Sequence, residues 1–62
     1  MLYISQVMIA NQQIESFDEL CEIVQEFARR GERFLNFDVK PAYTDTPEDW
    51  EERLEAAFSG RF

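Results

Sequence analysis

The chemistry open to this sequence rests on carboxylates and one thiol. Its 62 residues include 13 Asp and Glu, a single Cys and no His. Asp18, Glu19 and Glu22 flank Cys21 in the sequence, and both burial and nearby carboxylates disfavour the thiolate that a nucleophile requires. No histidine is present to act as its base. We therefore expect Cys21 to be a small core residue.

Paired carboxylates are numerous, but a general acid and base work inside a cleft that separates their proton affinities. A chain of 62 residues can hardly enclose such a cleft. One thiol without histidine excludes the common zinc and haem arrangements, and two isolated glycines do not form a phosphate loop. The acids from Asp45 to Glu52 lack the central glycine of a calcium loop. We therefore expect that the protein is not an enzyme and that it has no cofactor site and no metal site.

The acids instead recur at helical spacing in two rows. The C-terminal row is spaced i, i+3, i+4 and i+7 and consists of Glu48, Glu51, Glu52 and Glu55. The other row is spaced i, i+4 and i+8 and consists of Asp18, Glu22 and Glu26. Like charges at these spacings repel by a few tenths of a kcal/mol per pair, so local helix stability does not explain them. When the i+3 neighbours are included, the spacing of the charges along the helix axis approaches the ~3.4 Å spacing of charges along one phosphate strand.

These two rows, together with Phe62 as a terminal aromatic anchor, are the candidate partner-binding residues. The net charge of -7 repels nucleic acid and anionic membranes, so the expected partner is a larger protein with a basic surface. The alternative interpretation is that the acids only keep the protein soluble.

The segment 16–31 should position the N-terminal row as an amphipathic helix. Ser16 and Glu19 form a capping box, and Gly31 supplies a left-handed stop. Apolar residues recur at the i, i+3, i+4 spacing of one buried stripe: Phe17, Leu20, Cys21, Val24, Phe27 and Ala28.

Two strands are expected around this helix. The segment Leu2–Ala10 is rich in strand formers and apolar on both faces, which favours a covered or paired strand. A second strand is expected over Arg33–Lys40, ended by Pro41. A second helix should follow, with Thr46 as N-cap and Pro47 in its first position. Its predicted buried stripe is Trp50, Leu54, Ala57 and Phe58.

The predicted fold is one small acidic domain over residues 1–62, of the α+β or α/β class, with elements in the order β-α-β-α. A two-stranded sheet packs against two amphipathic helices, and periodicity leaves its strands parallel or antiparallel. A two-stranded sheet is a poor independent unit, so the first strand could pair with a partner's strand or form a homodimer. The sequence has neither a run of ~20 apolar residues nor a basic signal-peptide region, which predicts a cytoplasmic location.

In size, acidity and lack of catalytic residues, the chain resembles the small inhibitors that bacteriophages and mobile elements direct against defence proteins, including anti-CRISPR and anti-restriction proteins. The resemblance is one of class, without a matching motif. It implies a non-enzymatic inhibitor that imitates DNA in the host cytoplasm. The alternative function is a structural or assembly subunit whose acidity serves solubility.

Overall fold

In the computed structural model, which describes residues 1–60, the chain forms three helices and a two-stranded parallel sheet. The elements in chain order are β1 (Leu2–Tyr3), α1 (Ile4–Ala10), α2 (Phe17–Arg29), β2 (Leu35–Asn36) and α3 (Trp50–Ser59). The mixed α+β character and the two-stranded sheet are confirmed. The expected order is wrong, because α1 lies between β1 and α2.

The predicted strand over Leu2–Ala10 is mostly a helix. Ile4 and Val7, three residues apart, are buried, and Met8 packs against the same core, which is helical spacing rather than alternation. The N-cap residue Tyr3 contributes no side-chain bond. The Asp38 carboxylate does so instead, since it accepts hydrogen bonds from the backbone N–H and the hydroxyl of Ser5. Strand propensity is thus outweighed by burial and by a distant cap.

Helix α2 matches its predicted position, but half of its capping box differs, because the Ser16 hydroxyl and not the Ser16 backbone N–H donates to the Glu19 carboxylate, at 3.3 Å. The Glu19 backbone N–H donates to Ser16 Oγ at 3.2 Å, and Gly31 has a φ of +109° just beyond the helix. Phe17, Leu20, Cys21 and Val24 are buried, whereas Phe27 and Ala28 are half-buried. The buried stripe therefore faces the core as expected, but its side chains are less buried at the C-terminal end of the helix.

The second half of the chain is less regular than predicted. The strand expected over Arg33–Lys40 contains only Leu35 and Asn36, so it ends well before Pro41, which is fully buried. Helix α3 begins at Trp50 with Asp49 as its N-cap, not at Pro47. Thr46 closes a turn instead, because its hydroxyl oxygen accepts from the Tyr43 backbone N–H at 3.2 Å.

The core lies between α1, α2 and α3. Its most buried side chains are Ile4, Leu20, Leu54, Val7 and Val24. Trp50 and Phe58, which were expected in the core, are half-buried at its edge, and Trp50 meets Phe37 edge-to-face with ring centroids 6.0 Å apart.

Candidate functional site

The predicted binding residues in the helices form what we call the acidic surface: Asp18, Glu22 and Glu26 of α2, with Glu51, Glu52 and Glu55 of α3. All six are exposed. Glu48 is also exposed, but it lies in the turn before α3. The four-residue helical row predicted from Glu48 is therefore wrong, and three of its members share the helix. Phe62 lies outside the described residues.

Helices α2 and α3 pack against each other, and one acid from each predicted row, Asp18 and Glu52, lines a shared cleft. A cleft of about 270 Å³, here the N-terminal cleft, is lined by Phe17, Asp18, Cys21, Asp49, Glu52, Arg53 and Ala56. A second cleft of about 460 Å³, the C-terminal cleft, is lined by Gln25, Ala28, Arg29, Ala57, Phe58, Ser59 and Gly60. The start of α2 thus faces the start of α3, and the end of α2 faces the end of α3. The two helices run side by side in the same direction.

One ion pair lies in the N-terminal cleft. Arg53 Nε is 3.1 Å from Asp49 Oδ1, one turn of α3 away. This pair is exposed and contributes little to stability. Asp18 and Glu52 supply the other two carboxylates of the cleft, one from each helix.

Cys21 lies at the floor of the same cleft, with only 5% of its surface exposed. Burial, and after it the negative charge of Asp18, raises the pKa of its thiol to about 11. The thiol is therefore protonated at neutral pH. The prediction that Cys21 is a small core residue is confirmed, because its side chain is buried.

Part of the acidic surface has a local explanation. Asp18 and Glu19 lie in the first turn of α2, and Glu51 and Glu52 in the first turn of α3. Carboxylates there favour the positive end of the helix dipole. Glu22 and Glu26 lie further along α2, and their i, i+4 spacing is unfavourable to the helix. Glu26 has some compensation, because it lies three and four residues before Arg29 and Arg30, so Glu22 is the acid of this row for which helix stability offers least reason.

Sequence reasoning missed two other acids with a clear structural role. Asp45 accepts a hydrogen bond from the Phe17 backbone N–H at 2.6 Å and a longer one from the Asp18 backbone N–H at 3.4 Å. Asp38 binds the start of α1 in the same manner. Both are helix caps supplied by the connection between β2 and α3, and no local sequence motif predicts them.

Among residues 1–60, the structure contains no group of three or more side chains placed to hold a metal ion. Within the same range, no helix is long and apolar enough to cross a membrane.

The chain matches no protein-family model, and searches of curated proteins and of solved structures find no similar protein.

Proposed function

We propose that this protein is a non-enzymatic inhibitor or regulator that docks its acidic surface on a basic, nucleic-acid-binding site of a larger protein. The observation that carries the proposal is the meeting of the two helices at one cleft, whose lining includes Asp18 of α2 and Glu52 of α3. A site built for phosphates would attract exposed acids that are carried on two adjacent helices.

Glu22 and Glu26 add a second line of support. Both are exposed, both lie beyond the first turn of α2, and their mutual repulsion opposes the helix that carries them. A binding role accounts for such a placement better than a stabilising role does. Imitation of DNA in the manner of phage anti-defence proteins is the most specific form of this proposal.

The test is capture from a host-cell lysate by the immobilised protein. The wild type is compared with the double variant Glu22→Lys and Glu26→Lys, which leaves the first-turn acids in place. A control variant makes the same change in net charge on α1 and the loop after it, through Gln6→Lys, Gln12→Lys and Glu15→Lys, all at exposed positions.

A specific partner should be retained by the wild type and the control and lost by the double variant, with circular dichroism showing equal helix content in all three. Duplex DNA should then compete with the wild type for the purified partner. Equal retention by all three proteins would contradict the proposal.

A second candidate function is the structural or assembly subunit. It is favoured by apolar side chains that the described part of the chain leaves exposed: Ile9 at 69%, Met1 at 66% and Phe34 at 66%. A homodimer through the first strand belongs to this alternative. That strand was predicted to have nine residues, Leu2–Ala10, but β1 has only two, so it offers less backbone for pairing. Light scattering separates the two functions. A stable monomer favours the inhibitor, and a tight oligomer favours the subunit.

A further inference from the structure

We propose that the N-terminal cleft between α2 and α3 receives an arginine side chain of the partner. This inference rests on the proposed function, because it specifies how the partner engages the acidic surface. The cleft holds about 270 Å³, and its lining combines apolar and acidic groups.

The chemistry of the lining matches an arginine in two parts. Phe17, Cys21 and Ala56 supply an apolar floor, against which an aliphatic stem can lie. Asp18 and Glu52 supply carboxylates from the two facing helices. A planar guanidinium presents several N–H donors in a fixed fork and can bond to carboxylates on both sides at once.

The cleft carries more negative than positive charge, which favours a cationic side chain. Its lining contains three carboxylates and one cation, and that cation, Arg53, is paired with Asp49 at 3.1 Å. Asp18 and Glu52 have no cationic partner among residues 1–60. Cys21, 5% exposed and not part of a disulfide, lines the same cleft and adds no charge to it at neutral pH.

The C-terminal cleft provides an internal comparison. It is larger, at about 460 Å³, and its lining among residues 1–60 includes Arg29 and no carboxylate. A cationic side chain is therefore expected to choose the smaller cleft. Ala56 in one cleft and Ala28 in the other are both half-buried helix residues, so they offer a matched pair of sites for substitution.

The decisive variant is Ala56→Leu, which fills the N-terminal cleft without changing any charge. Its matched control is Ala28→Leu, which fills the C-terminal cleft. The probes are octa-arginine and octa-lysine, two peptides of equal charge, and the measurement is the dissociation constant at low salt. Both variants must first show helix content and cooperative unfolding like the wild type.

The wild type and Ala28→Leu should bind octa-arginine about tenfold more tightly than octa-lysine, because only the guanidinium can fork between two carboxylates. Ala56→Leu should bind the two peptides equally. The paired substitutions Asp18→Asn and Glu52→Gln, which keep the shape of the cleft, should also remove the preference. Amide chemical-shift changes on adding octa-arginine should centre on Phe17, Cys21 and Ala56.

Retention of the arginine preference by Ala56→Leu, or its absence from the wild type, would overturn the cleft proposal. If both peptides still bind and both are weakened by Glu22→Lys with Glu26→Lys, the proposed function survives that failure. If binding is unaffected by that charge reversal, the acidic surface is not the docking site, and both proposals fail.

Discussion

The Asp45 carboxylate accepts a hydrogen bond from the backbone N–H of Phe17 at 2.6 Å, across 28 positions of sequence. Phe17 is the first residue of α2, so this bond ties the connection before α3 to the start of the organising helix. It adds to the local cap from Ser16, which bonds to the Glu19 N–H. Asp45 and Ser16 together accept from the backbone N–H groups of Phe17, Asp18 and Glu19, which have no partner within the helix.

Replacing Asp45 with alanine should lower the free energy of unfolding by about 1 kcal/mol, the usual value for a lost N-terminal cap. Urea unfolding measures the change. The control is Glu48→Ala, which removes an exposed acid from the same connection and should alter stability by less than about 0.5 kcal/mol. Equal effects from the two variants would mean that the Asp45 bond contributes nothing specific.

The caps also explain which parts of the fold were predictable. Helix α2 was found because its Ser16 cap, apolar stripe and Gly31 stop are all local. Helix α1 was missed because its cap comes from Asp38, 33 positions away, and its N-cap residue Tyr3 signals no helix start. A cap that depends on tertiary structure cannot be read from neighbouring residues.

The acidic surface was predictable in composition but not in arrangement. Helical spacing placed Glu22 and Glu26 on one side of α2 correctly, since that helix was correct. Glu48 was misplaced because Thr46 closes a turn with Tyr43 and the helix begins only at Trp50. The presence of Asp18 and Glu52 in one cleft depends on the packing of α2 against α3, which periodicity within one segment does not determine.

The Asp38 cap should make stability depend on pH. The Ser5 hydroxyl, followed by the Ser5 backbone N–H, lowers the pKa of Asp38 below the ordinary 3.8. A carboxyl whose pKa is lower in the folded state stabilises the fold above the unfolded pKa and loses that effect as pH falls through the folded value. Asp38→Asn should therefore be less stable than the wild type at pH values above 3.8. The difference should shrink at lower pH in urea titrations, and a constant difference would contradict the role of the charge.

Gly31→Ala should destabilise the protein by about 1 to 2 kcal/mol, because the φ of +109° is unfavourable for a residue with a Cβ atom. The space around the position is open, so the cost is conformational and not steric. Gly31→Asn should cost less, since asparagine tolerates positive φ better than alanine. Thermal unfolding of the three proteins gives the order, and a neutral Gly31→Ala would show that the helix ends differently in solution.

Leu54→Ala should cost about 2 to 5 kcal/mol, because Leu54 is fully buried between the helices. Phe27→Ala should cost less than Leu54→Ala, since Phe27 is half-buried and the Arg30 guanidinium covers its ring at 5.7 Å. Urea unfolding ranks the two variants. A larger loss for Phe27→Ala would place the centre of the core nearer the end of α2.

The Cys21 thiol should react slowly with a disulfide reagent at neutral pH. Its pKa of about 11, against an ordinary 9.0, leaves about a hundredfold less thiolate than in an exposed cysteine, and burial slows access further. The reaction should accelerate strongly in urea as the protein unfolds. A rate in buffer equal to the rate in urea would contradict the burial of Cys21.

The central claim is that the acidic surface holds the partner by charge, and the salt dependence of binding tests it most directly. The dissociation constant of the purified partner should be measured from about 50 to about 500 mM NaCl, for the wild type and for Glu22→Lys with Glu26→Lys. We expect wild-type affinity to fall steeply as screening increases, and the variant to bind weakly with a flatter dependence. Tight binding by both proteins, unchanged by salt, would contradict the claim and leave the acidic surface with a role in solubility alone.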